Sequence, residues 1–290
     1  MKCFRVTTDS GCDLPMSLCR EKGILPLQLQ YTIDENVYTD TMEPEDCRRF
    51  YQQMREGGVP HTSQLNPAQF LQFWKPLFAV SDLPIVHICM GSGISGTYQN
   101  GLAALELLKA ELPDAKVFLV DSTLASVGYG MLALKAAELR DSGVSPEDCA
   151  AWLEAHKAEV NTYYTTGDIT YLYRSGRVSR AGMVIAHALN IWPILNLDRA
   201  GHLIVQEKAK GKRRTMQRIH KIIDELCIDP AGQTLFICHS DIPEEARAFG
   251  EEIKETFGFR DVYYTYIGCT IGTHSGPGLM AAFFYGKPRT

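Results

Sequence analysis

None of the nine cysteines forms a C-x-x-C pair, so zinc-ribbon and thioredoxin-like readings lack their defining spacing. An odd number scattered from Cys3 to Cys269 fits no disulfide framework either, and the chain reads as reduced and cytoplasmic. Six of them (Cys3, Cys47, Cys89, Cys149, Cys227, Cys238) fall in runs of strand or amphipathic-helix pattern, where a free thiol packs as a small hydrophobe. Positive charge is not in excess. The 29 Lys and Arg face 34 Asp and Glu, a formal net charge of −5, which offers no field to a polyanion, and nucleic acid is not an expected partner. The start, MKCFRVTTDS, has no apolar run behind basic residues and reads as a first strand rather than an export signal. The longest weakly polar stretch, 181–197, is interrupted by His187, Asn190, Pro193 and Asn196 and is short for a bilayer span. Neither internal repeats nor a low-complexity linker are evident.

What is present is βαβ grammar. In the first half, the apolar runs CFRVTT, ILPLQLQYTI, PIVHICM and KVFLVD alternate with helical patterns such as EPEDCRRFYQQMREG and YQNGLAALELLKAEL. Runs with little polar alternation suit strands buried on both faces, hence a parallel sheet covered by helices. Two helical segments then follow without a strand, the second opening on a Ser145 cap with Pro146 in its first turn, which places a lobe boundary near residue 160. Beyond it, a helix is expected over AGMVIAHALN, and IWPILNLD and HLIVQEKAKG are joined by the short 199–201 turn as a hairpin. QTLFICHS, EEARAFGEEIKETFG and DVYYTYI resume the βαβ pattern, and the chain closes on GTHSGPGLMAAFFYG. The expected architecture is two-lobed α/β. A parallel-sheet lobe spans 1–160, a mixed α/β lobe spans 161–290, and a ligand lies between them.

Open α/β sheets bind ligands beyond the carboxyl ends of their strands. Four such ends are polar here: Thr8-Asp9-Ser10, residues 91–97, Asp121-Ser122 and His239-Ser240-Asp241. Residues 91–96, GSGISG, satisfy G-x-G-x-x-G between a strand and a helix, with Asp121 where a ribose-binding acid would sit. Against a dinucleotide, the motif lies on an internal strand and carries Ser92, Ser95 and Thr97 where small apolar residues are usual. The simpler reading is a glycine-rich turn whose amides and hydroxyls meet an anion such as a carboxylate. Thr62 and Ser63, in a proline-flanked loop between two helices, form a second hydroxyl pair, because Asn66 is the better cap for the helix starting near Pro67. Asp121 itself either caps the following helix or contacts ligand. The run Lys208, Lys210, Lys212, Arg213, Arg214, Arg218 lacks interleaved aromatics and suits partner docking or solubility better than nucleic acid. GKRRT at 211–215 lacks the spacing of a phosphate loop.

These motifs occur in the order found in the DegV family. TTDSGCDLP resembles its D-S-x-x-D-L, HTSQ its T-S-Q loop, SGISGTYQN its S-G-T-Y turn and DSTLASVGYG its D-S-x-x-x-S-x-G-x-G segment. YLYRSGRVS is similar to its Y-L-x-R-G-G-R-I, and THSGPG to its H-x-G-P-G. Departures are Leu65 for a common proline, Ser175 for glycine and Val178 for isoleucine. None removes a carboxylate ligand.

The resemblance implies a fatty acid-binding protein that serves a bacterial fatty acid kinase. Its tail would lie in an apolar tunnel of the second lobe, with the carboxylate at Thr62, Ser63, Ser95, Gly96 and His274. Thr97, Asp121 and Ser122 are further candidates. Arg174, Arg177 and His274 would face phosphate or the partner. His274, flanked by Thr273 and Ser275 in a glycine-rich turn, is poor core material, and guanidinium groups recognise phosphate and carboxylate bidentately. Expected partners are a long-chain fatty acid, the kinase and, transiently, a membrane surface; no cofactor, metal or catalytic residue is expected. The rival is an acyl-ester hydrolase using Ser95 and His274. It is disfavoured because a nucleophile elbow reads G-x-S-x-G and Thr97 occupies the last glycine position.

Overall fold

A computed structural model describes residues 3–178 and 191–290. The helix expected over AGMVIAHALN lies outside the described residues. The first strand, β1 (Arg5–Asp9), is followed by α1 (Met16–Lys22) and β2 (Ile24–Leu27). The run ILPLQLQYTI does not continue as one strand. Its second half forms β3 (Gln30–Ile33), which turns through Asp34 and Glu35, both at positive φ, into β4 (Asn36–Thr39). Left-handed central residues give a two-residue turn the twist a hairpin needs. After α2 (Pro44–Arg55) comes β5 (Pro60–Thr62), completing a small antiparallel sheet in the order β4-β3-β5. The Thr62 segment, expected as a loop between two helices, is thus a short strand paired to β3, with Tyr31 opposite Thr62.

α3 (Pro67–Val80) opens on a capping box. Asn66 Oδ1 accepts the Gln69 amide at 3.0 Å, and the Gln69 side chain accepts the Asn66 amide at 2.9 Å. That cap leaves Thr62 and Ser63 free of the task. β6 (Ile85–Cys89), α4 (Thr97–Glu111) and β7 (Val117–Asp121) finish a four-stranded parallel sheet in the order β2-β1-β6-β7. Every residue of β6 is buried, as its unbroken apolar run requires. Pro26 lies in β2, an edge strand, where its missing N–H costs no central hydrogen bond.

α5 (Val127–Asp141) and α6 (Pro146–His156) follow without a strand, the second capped by Ser145 Oγ accepting the Asp148 amide at 3.1 Å. α5 is buried on nearly all faces because it packs between the parallel sheet and a second, six-stranded sheet. Its small residues Gly128, Gly130, Ala133, Ala136 and Ala137 allow that close approach, and apolarity all round replaces a single stripe.

The second sheet contains β8 (Val160–Thr165), β9 (Ile191–Leu197), β10 (Leu203–Lys210), β11 (Thr234–His239), β12 (Asp261–Tyr266) and β13 (Met280–Tyr285). Its order is β10-β9-β8-β13-β11-β12, with β11 and β12 parallel and the other pairs antiparallel. β9 and β10 form the expected hairpin. β13, in the closing segment, was not assigned from pattern; it enters the middle of the sheet as a fully apolar run, which has no strand periodicity. The short α7 (Thr170–Arg174) follows β8, while α8 (Lys212–Leu226) and α9 (Pro243–Phe257) enclose a second core of Ile219, Ile222, Ile223, Phe249 and Ile253. α10 (Cys269–Ser275) closes the set. His274 therefore sits on a helix rather than in a glycine-rich turn; Gly276 at φ 72° ends that helix. Seven of the nine cysteines are buried. Burial raises the thiol pKa of Cys12, Cys89 and Cys238, which makes them packing groups rather than nucleophiles. Among the described residues, no helix is long and apolar enough to cross a membrane.

Candidate functional site

The loops at the carboxyl ends of β6 and β7, the segment after β5, and α10 surround a cavity of about 370 Å³. Leu29, Met90, Ile94 and Ala125 line it from the first half of the chain. Tyr164, Leu172, Leu195, Leu203, Ile267, Ile271 and Leu279 line it from the second. The cavity thus takes its apolar wall from both halves of the chain. Into the same cavity project Thr62, Ser63, Gln64, Ser95, Gly96, Thr97, Arg177 and His274.

These polar residues form linked pairs. Thr62 Oγ1 and His274 Nε2 share a hydrogen bond at 2.8 Å. Ser95 Oγ lies 2.9 Å from Thr97 Oγ1 and accepts the Thr97 amide at 3.2 Å, which turns the chain into α4. The 62–65 and 95–100 segments touch: the Gln64 side-chain amide occupies the space a side chain on Gly96 would need, and Asn100 Nδ2 donates to the Leu65 carbonyl at 2.7 Å. A side chain at 96 would have to displace the Gln64 amide from this position. Leu65, a departure from the family pattern, is buried with Leu29, Phe70 and Trp74. Gln64 was not singled out in the sequence, although it belongs to the HTSQ motif; its partner across the cavity lies 32 positions on in the chain.

His274 is held neutral. Burial, assisted by the positive Arg177, lowers its pKa to about 4, so at neutral pH the ring carries one N–H, and among the described residues its Nδ1 has no partner. Arg177 is half-buried, with Nη1 donating to the Ser175 carbonyl at 2.5 Å, and burial lowers its own pKa. Arg174, by contrast, is exposed at the end of α7 and is not part of the lining. The two arginines do not converge on one point of the cavity. Beneath α10, Asp13 Oδ1 accepts the Gly268 amide and Asp40 Oδ2 the Thr270 amide, both at 2.9 Å. Two fully buried carboxylates thus hold the first turn of the helix that carries His274; burial raises the pKa of both.

Asp121 faces its own loop. Its carboxylate accepts the Ser92 amide at 3.0 Å, the Ser92 hydroxyl at 2.5 Å and the Thr123 amide at 3.1 Å. Ser126, not Asp121, stands at the cap position of α5. The Ser122 hydroxyl donates to the Leu124 carbonyl at 3.3 Å and accepts the Leu124 amide at 3.0 Å. Neither residue lines the cavity.

The glycines of GSGISG are explained without phosphate. A side chain on Gly91 would meet the Thr123–Leu124 backbone at 2.7 Å, and one on Gly93 the 200–201 backbone at 2.6 Å. With its glycines packed on protein and its acid engaged, this loop does not present a dinucleotide site. Nor is the hydrolase geometry met. Ser95 bonds to Thr97 and His274 to Thr62, and no hydrogen bond joins Ser95 to His274 among the described residues, so the nucleophile–base pair is missing.

A family model described as "Uncharacterised protein, DegV family" matches residues 3–287. A DegV domain-containing protein of Clostridium perfringens is 35% identical over 290 residues, covering 100% of this chain and 99% of its own. Among solved structures, DegV from Bacillus subtilis, described as a fatty acid binding protein, superposes with a TM-score of 0.85 at 29% identity, covering 99% of this chain and 100% of that one. A Thermus thermophilus DegV family protein, whose structure is described in terms of fatty acid binding, gives 0.83 at 26% identity with the same coverage. Matched along essentially its whole length in both sequence and fold, the chain belongs to the DegV family.

Proposed function

We propose that this protein holds one long-chain fatty acid in the cavity between its lobes, taken as residues 1–160 and 161–290. The observation that carries this reading is a single cavity whose wall is mostly apolar and whose linked polar groups include hydroxyls, an amide, a neutral histidine and an arginine. The fatty acid-binding descriptions of the Bacillus subtilis and Thermus thermophilus relatives support it. At about 0.8 kcal/mol per buried methylene, a tail of about fifteen carbons gains on the order of 10 kcal/mol. The head group then supplies orientation, with Thr62, Ser63, Ser95, the Gly96 amide and His274 around the carboxylate.

No bond is made or broken by this chain in the proposed role. It takes the lipid from a membrane surface, shields the tail, and offers the carboxylate to a kinase that phosphorylates it to an acyl phosphate. Arg177 and His274 at the cavity, with Arg174 on the surface nearby in sequence, would meet the added charge or the partner. Native mass spectrometry of protein purified from a bacterial host without added lipid is expected to find one fatty acid per chain. An empty protein that hydrolyses an acyl ester, and loses that activity in Ser95→Ala, would overturn the reading.

His274→Ala is expected to retain fatty acid nearly as the parent does, because tail burial dominates affinity, yet to fail in acyl-phosphate formation with the kinase. Strong loss of lipid binding in that variant would defeat this division of roles.

A further inference from the structure

Arg289 lies outside every sequence motif considered so far, and its guanidinium joins two segments distant in the chain, the loop at Thr123 and the 197–198 end of β9. The residue is 5% exposed. Nη1 donates to the Asp198 carbonyl at 2.9 Å, to the Leu197 carbonyl at 3.2 Å and to the Thr123 carbonyl at 3.3 Å; Nη2 donates to Thr123 Oγ1 at 3.1 Å. Its own amide donates to the Ala158 carbonyl at 2.8 Å, anchoring it beside the start of β8. No carboxylate bonds to the guanidinium among the described residues. The Asp198 carboxylate instead accepts the Ala200 and His202 amides of its own turn.

A cation buried against neutral carbonyl and hydroxyl oxygens costs desolvation that an apolar residue would avoid. Such a group persists where its fan of donors fixes a geometry, and here that geometry belongs to the cavity. Asp198 opens the turn between β9 and β10, the strands that place Leu195 and Leu203 in the cavity wall. Thr123 stands at φ 53°, a left-handed conformation that a β-branched residue adopts only under constraint. The turn is pressed onto the loop that carries the head-group residues. Gly201, at φ 87°, packs on the Thr123 backbone, and Gly93 leaves no room for a side chain against the 200–201 backbone. Two residues beyond Gly93 is Ser95.

We propose that Arg289 is a positioning residue for the ligand cavity. Its guanidinium locks the 198–201 turn onto the Thr123 and Gly93 loops, and so sets the hairpin wall and the Ser95–Gly96 loop in one arrangement that retains the ligand. The effect on ligand rests on the fatty acid reading above; the lock itself does not.

Two measurements on the full chain test this. The first is stopped-flow release of a fluorescent fatty acid from the parent, Arg289→Ala, Arg289→Lys and Leu153→Ala. The last is a destabilising control in α6, away from the cavity. The second is hydrogen exchange of the same four proteins without lipid. Release from Arg289→Ala is expected to be faster by about tenfold to a hundredfold, the equivalent of one lost charge-assisted hydrogen bond. Arg289→Lys should lie between, and Leu153→Ala should release at the parent rate. In exchange, amides of 197–202 and 91–95 should lose protection together in Arg289→Ala and not in the control. Release and protection unchanged from the parent, or matched by the control, would overturn the lock. If Arg289→Ala does not fold, the same comparison in Arg289→Lys decides. A parent protein that binds no fatty acid, while 197–202 and 91–95 still deprotect together in the variant, would overturn the lipid reading and leave the lock standing.

Discussion

Ala125→Phe is expected to lower affinity for a long-chain fatty acid by about three orders of magnitude while sparing the fold. Ala125 lines the cavity at 8% exposure, in the loop before α5, and its carbonyl accepts the Tyr164 hydroxyl at 3.5 Å, a backbone contact the substitution keeps. A phenyl ring projecting from this position takes the place of about five methylenes of the tail, and at about 0.8 kcal/mol each the loss is about 4 kcal/mol. The converse separates blocking from misfolding: a fatty acid shorter by about five carbons should bind the variant nearly as well as it binds the parent. Calorimetric titration of delipidated protein with both chain lengths reads this directly. Equal loss for both lengths would mean that position 125 does not meet the tail.

Acidification from pH 7 to 4.5 should destabilise the parent more than His87→Phe, by about 3 kcal/mol in urea denaturation of the lipid-free protein. His87 is fully buried, with its ring edge-on to Phe70 and Trp74 and Nδ1 2.7 Å from Thr7 Oγ1. Trp74 Nε1, which can only donate, also points at Nδ1 from 3.4 Å, so Nδ1 is the acceptor and the proton of the neutral ring sits on Nε2. Burial lowers the pKa of this imidazole to about 3. Below about pH 6.5 the unfolded chain takes up a proton that the folded chain refuses. Stability attributable to His87 is therefore complete above that pH and falls by about 1.4 kcal/mol per unit as pH drops towards 3. His239 and His274, each lowered to about 4, act in the same direction. Asp9, raised to about 6 by burial, acts in the opposite one, as do Asp13 and Asp40. Their folded forms hold protons that the unfolded chain has released, so acid favours them. The difference between parent and variant cancels these other groups. Parallel pH profiles for the two proteins would show that His87 titrates freely, contrary to its place in the core.

Much of this molecule was legible before folding, for local reasons. Apolar runs without alternation announced the buried parallel strands, Ser145 with Pro146 and Asn66 before Pro67 announced helix starts, and the order of short polar motifs marked the loops around the cavity. Hydrogen bonds within one turn, and burial on both faces of a strand, depend on residues a few positions apart, and sequence displays those. Tertiary structure decided the rest. It split ILPLQLQYTI between two sheets and placed MAAFFY at the centre of the larger one, because an apolar run does not name its neighbours. It put His274 on a helix whose first turn is held by Asp13 and Asp40, more than 200 residues earlier in the chain. It separated Arg174 from Arg177, turned Asp121 onto Ser92, and brought Arg289 to Thr123 across 166 positions. Each of these depends on which surfaces meet once the two sheets close around α5, a property of packing in three dimensions that spacing along the chain does not encode.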